Sequence, residues 1–507
     1  MTEEFQPEGR LHPMSWLFAV MTFIRQFLLP LLAAAFFGSR NAMPLWLGAI
    51  IVPMVAAAVW KQFFYRYGCG PAGLVVREGI FFHNLRQIDY SRIENIDTER
   101  NLLHRALGVA EVRVETSTGG KPEALIQVLS MAKAEELRQA IFATRTDPEQ
   151  PTRVEAHEST LLHLPIDELV RFGLIDNRGM VVVAGLFGLA HEAGVIEAWA
   201  ATLKDRISPE QFDALIARGL PLQAGLAISL LLAALILVRL FSVSVALLTL
   251  YDFRLTQAGA DLRVRYGLLT RVSLTLRLSR IQALHRTQTL LHRWFDRASL
   301  RADLAGGGAE AEHEQGSPSR VRWLAPISTP ERAMELAALA LPDVQLESEP
   351  DWQPLASGAR GRIFRFSTAW WLLASVLLAA LLRDYVGLLL LTIGVPISFW
   401  YATMYSRYTR WSLDEDVLSF RSGWLTRKLV IVPRSRVQCA LIKQSPFDRR
   451  SQMANVVIDT AGGGSRSDII RIPYLDIEVA AQLAHALYCS SAAAGEPLLQ
   501  PLEVQAV

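Results

Sequence analysis

The sequence is poor in cysteine. Only three occur in 507 residues, Cys69, Cys439 and Cys489, and they lie far apart. They form no Cys-x-x-Cys pair, which excludes a disulfide framework and the common zinc motifs. This usage suits domains in a reducing cytoplasm. The first residues also lack the basic segment and small-residue cleavage site of a signal peptide, so we expect none.

Catalytic motifs are equally scarce. His191-Glu192 has no second His four residues after the first, so the zinc-protease helix is absent. The glycine runs at 306–308 and 462–464 lack the Lys-Ser/Thr of a phosphate loop and indicate hairpin turns. No Ser-His-Asp, Cys-His or nucleic-acid motif has support beyond isolated residues. We therefore predict a protein that is not an enzyme, with no cofactor, no metal site and no nucleic-acid partner.

Long apolar runs, in contrast, are abundant. Apolar residues make up 51% of the chain and the mean hydropathy is +0.24, which indicates a membrane protein. A helix needs about 20 residues to cross the hydrocarbon core. Residues 41–60 form an uncharged run of this length, and residues 221–250 contain one charge, Arg239, which we expect at a leaflet boundary. Residues 366–382 and 385–405 predict a helical hairpin.

Two further apolar segments are interrupted. The first contains Arg25, so it is either a span that tolerates this charge or a surface helix, over residues 12–25, that precedes a span. We favour the surface helix, because a charge at the bilayer centre costs several kcal/mol. Met180–Ala190 is short and ends at His191-Glu192, which we interpret as a polar break at the outer interface. About six spans, in pairs, are therefore predicted.

The most informative pattern is an internal repeat of some forty residues. In three places an arginine follows a glycine by 13 residues: Gly79 and Arg92, Gly267 and Arg280, Gly423 and Arg436. Twelve residues past each arginine begins a pair that ends in arginine: His104-Arg105, His292-Arg293, Asp448-Arg449. A glycine pair closes each copy. We interpret these markers as structural.

Each copy has the pattern of a small β domain closed by a helix. Alternating apolar residues predict several short antiparallel strands. In the first copy, Ser130 is a candidate N-cap for a helix in which Met131, Leu137 and Ile141 form a packing stripe. Each unit thus consists of two spans, a β-rich domain and a C-terminal helix.

This combination resembles the bacterial pleckstrin-homology-like "membrane-flanked domain" family, the second type of bacterial PH domain, in its multi-copy arrangement. The resemblance rests on a membrane hairpin, then L-x-[VFI]-[RV]-x-G, then the arginine with its following Ile or Val, then the glycine pair. It covers about residues 10–145, 160–342 and 360–490. It implies two packed antiparallel sheets capped by a helix and tethered to the cytoplasmic membrane, and it brings no catalytic residues.

The predicted fold is an α+β membrane protein. About six transmembrane helices, in pairs, alternate with three PH-like β-sandwich or barrel domains, each capped by a C-terminal helix. The predicted membrane pairs cover residues 10–61, 160–250 and 360–405. The predicted PH-like domains cover residues 62–145, 251–342 and 406–490.

The orientation follows from basic residues that flank the spans. Those on the repeat side are Arg171, Arg178, Arg254, Arg360, Arg362, Arg365, Arg407 and Arg410. The tight hairpins on the other side expose only Arg40 and Arg383. By the positive-inside rule, the three domains and both termini of this multi-pass protein are expected on the cytoplasmic side of the inner membrane.

Arginine is concentrated in the second and third copies. Between Arg254 and Arg301, ten arginines stand against Asp261 and Asp296. A cation near an anionic leaflet contributes on the order of 1 kcal/mol, and arginine forms forked contacts with phosphate oxygens. Our candidates for lipid or partner binding are Arg263, Arg265, Arg271, Arg277, Arg280, Arg427 and Lys428. The alternative interpretation is that these residues only record insertion topology.

These features predict a non-enzymatic membrane scaffold. Its three cytoplasmic domains would contact partner proteins or anionic lipid headgroups, with a role in envelope maintenance or defence. The resemblance suggests a smaller single-copy relative as protein partner, and the sequence leaves homo-oligomerisation open. The alternative is a transporter or lipid-handling protein in which Arg25, Arg239 and His191-Glu192 line a path, which requires them to face a bundle interior.

The orientation is testable with a reporter. A cytoplasmic reporter fused after Val507 is expected to be active, and a reporter that matures only in the periplasm is expected to be silent at the same position. A fusion at Arg383, in a predicted hairpin on the other side, should give the opposite pair of results. Periplasmic activity at Val507 would contradict the orientation.

Overall fold

The structure is a computed structural model of the full chain. It describes the following residues: 9–18, 62–70, 73–79, 84–90, 92–116, 124–143, 159–176, 178–192, 220–259, 261–305, 322–346, 350–382, 385–461 and 470–493, with single residues between 20 and 60 and between 194 and 202. Most of the predicted first membrane pair, including Arg25 and Arg40, lies outside these residues.

The first repeat contributes seven strands and two helices. Its strands are β1 (Gly9–Arg10), β2 (Arg66–Cys69), β3 (Gly73–Glu78), β4 (Asn84–Asp89), β5 (Ile93–Arg100), β6 (Val109–Thr116) and β7 (Ala124–Ser130). Its helices are α1 (Leu102–Ala106) and α2 (Met131–Ala143). In α2, Leu137 and Ile141 are buried, but Met131 is 42% exposed because it is the first residue of the helix and points away from the core.

The second repeat has the same order of strands around three longer helices. Its strands are β8 (Ser159–His163), β9 (Arg254–Ala258), β10 (Asp261–Tyr266), β11 (Arg271–Arg277), β12 (Ile281–Gln288), β13 (Ala298–Leu304) and β14 (Trp323–Ser328). Its helices are α3 (Ile166–Ile175), α4 (Arg178–Glu192), α5 (Leu220–Leu250), α6 (Leu290–Trp294) and α7 (Pro330–Ala340).

The third repeat follows the same plan. Its strands are β15 (Gln353–Pro354), β16 (Arg410–Leu413), β17 (Val417–Ser422), β18 (Arg427–Pro433), β19 (Val437–Lys443), β20 (Met453–Thr460) and β21 (Ile470–Asp476). Its helices are α8 (Ala359–Leu382), α9 (Leu390–Tyr408), α10 (Pro446–Arg450) and α11 (Ile477–Ala493). Short 3-10 turns cover Leu278–Arg280, Tyr385–Leu389 and Arg434–Arg436.

Three helices in the described part of the chain are long and apolar enough to cross a membrane. The candidate spans are Leu231–Leu250, Ala359–Leu381 and Gly387–Tyr408. The sequence predicted about six. One of the other predicted spans falls on α4, which has 15 residues and is not among these candidates. The predicted first pair lies mostly outside the described residues.

The boundaries of the sheets differ from the boundaries of the repeats, because two of the four sheets contain strands from two repeats. Four strands form one sheet in the order β1-β2-β3-β4, and the last three form another in the order β19-β20-β21. The other two sheets have seven strands each, in the orders β7-β6-β5-β11-β10-β9-β8 and β14-β13-β12-β18-β17-β16-β15. Each seven-stranded sheet therefore joins the second half of one repeat to the first half of the next.

Two antiparallel strand pairs make these joins. At the first join, β11 pairs with β5, and Val272 lies opposite Glu99. At the second, β18 pairs with β12, and Lys428 lies opposite Thr287. The chain accordingly divides into two compact units with a boundary within β11, near residue 275. Apart from the ends of β10 and β11, each seven-stranded sheet belongs to one unit.

The first and third repeats bury their alternating residues in apolar cores, and the core of the third also includes Ala283 of the second. In the first repeat the core includes Leu74, Ile93, Ile126 and Ile141. In the third it includes Leu418, Val456, Ile472 and Leu487. The helix that follows the last strand of each repeat, α2, α7 or α11, packs on strands of that repeat's second half.

The repeated glycine occupies a turn that other residues fit poorly. Gly79, Gly267 and Gly423 all have positive φ, of 113°, 109° and 76°. A Cβ on Gly267 would lie 1.9 Å from the carbonyl oxygen of Thr270, and one on Gly423 would lie 2.3 Å from that of Thr426. The turn closes the hairpin whose second strand makes the join, so the glycine sets the position of that strand.

Replacing this glycine should destabilise the protein. Gly267→Ala is expected to lower the free energy of unfolding by about 1–3 kcal/mol, because alanine at this φ is strained and its Cβ collides with the backbone. Gly361→Ala in α8 is the matched control, since no atom lies within 4 Å of its Cβ position and φ is not positive. Thermal unfolding of the full chain in detergent, followed by circular dichroism, measures both. Equal midpoints for Gly267→Ala and wild type would contradict this role.

Candidate functional site

Three of the predicted arginines lie on the outer face of one sheet. Leu262, Val264 and Tyr266 of β10 are buried, so Arg263 and Arg265 between them point to the opposite face. Arg271 begins β11, where Val272, Leu274 and Leu276 are the buried positions. Arg263 is half-buried, whereas Arg265 and Arg271 are exposed. The alternation of the strands therefore produces a basic outer face.

The other predicted residues have different surroundings. Arg277 ends β11 and is half-buried. Arg280 donates a hydrogen bond to the carbonyl of Ala305, and the amide of Ala305 donates to the carbonyl of Arg280 over 2.9 Å. These two bonds tie the 3-10 turn to the end of β13, which is a structural role. Arg427 and Lys428 begin β18, where Arg427 is half-buried and Lys428 is exposed.

The β10–β11 hairpin lies against the end of a candidate span. The amide of Leu268 donates to the carbonyl of Leu248 over 3.1 Å, and the amide of Gly267 donates to that of Tyr251 over 2.8 Å. Leu248 belongs to the span Leu231–Leu250. A membrane span ends at the headgroup layer, so this contact would place the hairpin tip at that depth if Leu231–Leu250 crosses the membrane.

Three arginines surround this tip and form what we name the first arginine cluster: Arg100, Arg105 and Arg271. Arg105 donates to the carbonyl of Leu268 over 2.9 Å, and Arg271 lies opposite Arg100 in the β5–β11 pair. Burial lowers the pKa of Arg100, and the charges of Arg105 and Arg271 lower it further. In the described part of the chain no carboxylate pairs with any of the three. An anion bound here would relieve this repulsion.

The equivalent hairpin of the third repeat is placed in the same way. Between β17 and β18, the ring of Trp424 meets Trp400 of α9 edge to face, with centroids 4.3 Å apart. Arg293 donates to the carbonyl of Trp424 over 3.3 Å. Arg293 and Trp424 occupy the repeat positions of Arg105 and Leu268, so the same contact recurs at both joins.

A second arginine cluster lies beside this hairpin and consists of Arg286, Arg421 and Arg427. Arg421 stacks on Trp352 and Tyr408 at 4.5 and 5.4 Å from the ring centroids, and Arg427 stacks on Tyr408 at 4.8 Å. Tyr408 is the last residue of the span Gly387–Tyr408. These cation–π contacts hold the guanidinium groups at the membrane end of the helix.

The second cluster borders a cavity of about 260 Å³. Arg286, Arg421, Trp352 and Tyr408 line it, together with one carboxylate among its lining residues, Asp414. Burial lowers the pKa of both Arg286 and Arg421. The buried Nε atoms of Arg421 and Arg427 have no hydrogen-bond partner within the described residues. The cavity thus offers partly desolvated donors with excess positive charge, which suits a phosphate-bearing ligand.

The repeated pairs His104-Arg105, His292-Arg293 and Asp448-Arg449 lie in the short helices α1, α6 and α10. The first residue of each pair is the third residue of its helix, close to the N-cap. Asn101, Thr289 and Ser445 are the N-caps of α1, α6 and α10. His104, His292 and Asp448 are buried, and His292 and Asp448 complete capping boxes with Thr289 and Ser445. Arg362 donates to Asp448 over 3.2 Å, and this bond, with those from Ser445, lowers the pKa of Asp448 against the opposing effect of burial.

The residues considered for a transport path lie in different places. Arg239 lies within α5 and donates to the carbonyl of Asp176 over 3.5 Å, beside Ser242, which donates to the same oxygen over 2.7 Å. His191 and Glu192 are exposed at the end of α4. Arg25 lies outside the described residues. Within the described residues, no group of three His, Cys, Asp or Glu side chains could hold a metal ion.

The sequence analysis names Arg271 and Arg427 as candidates but not the arginines that lie beside them in the two clusters. Arg100 and Arg105 come from the preceding repeat, as does Arg286 in the second cluster. One signal was available, because Arg105 and Arg293 occupy the same position in their repeats. This shared position indicates a cluster only when it is known which strands pair across repeats. Strand periodicity does not specify the pairing partner.

Comparisons with known proteins give one family. The family model described as "Bacterial PH domain" matches three times, at residues 22–145, 212–344 and 367–489. A curated relative from Bacillus subtilis (strain 168), described as "UPF0699 transmembrane protein YdbT", is 22% identical over 465 residues, which cover 88% of this chain and 91% of the relative. No solved structure matches the chain.

The buried cap of α6 should make stability depend on pH. Burial lowers the pKa of His292 to about 4, and its Nδ1 accepts from the amide of Thr289, which requires the neutral ring. Since the unfolded chain binds this proton near pH 6.5, the stabilisation is complete above that pH and declines as the pH falls towards 4. His292→Gln keeps a capping box without a titrating group. Unfolding midpoints between pH 7.5 and 4.5 should fall less steeply for this variant, and parallel curves would contradict the assignment.

Proposed function

Because the chain belongs to the bacterial PH domain family, which it matches over three tandem repeats, we propose that it is a non-enzymatic membrane scaffold. Its repeats act as contact platforms for protein partners and for anionic lipid headgroups at the cytoplasmic face of the inner membrane. It is a membrane protein with repeated bacterial PH domains, and the contact function is the proposed part. Envelope maintenance or defence is the setting that the family resemblance suggests.

One observation carries the proposal: the repeats are built into common sheets. β5 pairs with β11, and β12 pairs with β18, so successive repeats share continuous hydrogen-bonded layers. Hydrogen-bonded sheets of this kind do not extend across a bilayer, so they favour one side of the membrane for all three repeats. Platforms that share sheets on one side of the membrane suit a protein that works by contact.

Strand pairs that enclose the membrane helices support the same topology. A short strand before each helical segment pairs with the first strand after it: β1 with β2, β8 with β9, and β15 with β16. A chain that leaves a sheet and returns to it crosses the membrane an even number of times. We therefore propose two spans per repeat, six in all, with the helices α2, α7 and α11 capping their domains. The basic flanks favour the cytoplasmic side.

The two arginine clusters support contact with headgroups. Both lie beside hairpins that touch the end of a candidate span, and both lack a paired carboxylate in the described part of the chain. Positive charge at this depth attracts anionic lipid, at about 1 kcal/mol per cation. The transporter alternative is weaker, because Arg239 donates to the backbone carbonyl of Asp176, the C-cap of α3.

Headgroup binding can be tested on the full chain in a neutral detergent. Short-chain phosphatidylglycerol is expected to change the tryptophan fluorescence saturably, because Trp352 contacts Arg421, and added salt should weaken binding. Replacing Arg421 and Arg427 together by Gln should raise the Kd by about 10–30-fold, from two charge contacts of about 1 kcal/mol each.

The matched control removes a charge elsewhere. Arg332→Gln in α7 breaks an exposed pair with Glu335 and should leave the Kd unchanged. Short-chain phosphatidylcholine should give no saturable change. Equal binding of the two lipids, or a wild-type Kd for the double variant, would rule out headgroup recognition by the second cluster.

A further inference from the structure

Two strands at the ends of the repeat array have a neighbour on one side only. Within the described residues, β4 of the first repeat pairs with β3 alone, and β19 of the third pairs with β20 alone. The equivalents of β4 are β11 and β18, and the equivalents of β19 are β5 and β12. Those four strands are the ones that make the two joins. The open edges are therefore the two halves of a third join.

The two existing joins have an identical register. The residue five positions after the repeat glycine lies opposite the residue seven positions after the repeat arginine of the preceding copy. This rule describes Val272 opposite Glu99, and Lys428 opposite Thr287. The join is thus a reproducible interface, set by the same positions in different sequences.

The same register, applied to the open edges of β4 and β19, predicts which residues would lie opposite each other. Five positions after Gly79 is Asn84, and seven positions after Arg436 is Lys443. Because the strands run antiparallel, Leu85 would then lie opposite Ile442, and Arg86 opposite Leu441.

Side-chain exposure distinguishes the open edges from the joined ones. On β19, Leu441 is 39% and Ile442 is 43% exposed, and on β4 Leu85 is 47% exposed. At the second join, the equivalent of Leu85 is Leu429, which is 9% exposed. The strand segments that a third join would cover thus carry large apolar side chains in contact with water. An exposed apolar edge strand is a pairing site that soluble surfaces normally avoid.

We propose that β4 of one copy pairs with β19 of a second copy of this chain, in the register Leu85 to Ile442. The pairing continues the shared sheets from molecule to molecule, head to tail, along the cytoplasmic face. A second copy is the occupant because one polypeptide carries both halves of the join, and its copies insert in the membrane with the same orientation. The contact is heterologous, so it produces a closed ring or an open row.

This inference builds on the scaffold function only in that the repeats must share one side of the membrane. It does not require lipid binding, since the arginines of the two clusters are not part of the β4–β19 register. Failure of the phosphatidylglycerol titration would leave it intact. Failure of the join would in turn leave headgroup recognition intact.

Cysteine cross-linking between two tagged copies tests the register. Both chains carry Cys69→Ser, Cys439→Ser and Cys489→Ser, one chain also carries Leu85→Cys, and the other also carries Ile442→Cys. Directly opposite residues in antiparallel strands have Cα atoms about 4.5–5.5 Å apart, within disulfide range. After oxidation of isolated membranes, we expect a product that contains both tags. A second pair, Arg86→Cys with Leu441→Cys, samples the adjacent position in the same register.

The matched control is a pair shifted by one residue, Leu85→Cys with Leu441→Cys. A shift of one residue places the two side chains on opposite faces of the sheet, so its yield should be at least about tenfold lower. The side chains replaced at Cys69, Leu85, Arg86, Cys439, Leu441 and Ile442 are exposed, and unchanged unfolding midpoints under reducing conditions will verify folding. No product with both tags, equal yields from matched and shifted pairs, a disulfide within one chain carrying both cysteines, or a product with another protein instead would each overturn the proposal.

Discussion

Strand pairing across the joins is the constraint on which the rest of the structure depends. A PH-like repeat of this chain does not complete its own sheets: its first half extends the sheet of the preceding repeat, and its second half extends that of the next. Each pairing satisfies backbone groups that would otherwise form an open edge. It also positions the hairpins that carry arginine. The compact units of the chain therefore differ from its repeats.

The joins also explain where positive charge accumulates. Each hairpin that enters a join lies against the end of the span just before it, and an arginine of the preceding repeat donates to the hairpin carbonyl. The geometry brings arginines from two repeats together beside a candidate span. The aromatic residues at the second cluster, Tyr408 and Trp352, add cation–π contacts that hold the charges in place.

Much of the fold could be predicted from spacing. The recurrence of Gly267 and Arg280 in three copies identified the repeat, and the structure shows why both are needed: one adopts a positive φ, and the other ties a 3-10 turn to a strand. Alternation identified strands and their buried faces. It could not identify edge partners, because alternation is the same whichever strand lies alongside. Hence the sequence names Arg271 as a candidate but not its neighbours Arg100 and Arg105.

Shared sheets have a consequence for the order of events on the ribosome. The edge of β5 receives its partner only when β11 has been made, and between Arg100 and Arg271 lie about 170 residues, which take roughly ten to thirty seconds to translate. During that interval α5 is translated and inserted, while the sheet of β5, β6 and β7 still lacks its partner strand β11. Insertion of the helices and completion of the domains are therefore interleaved during translation.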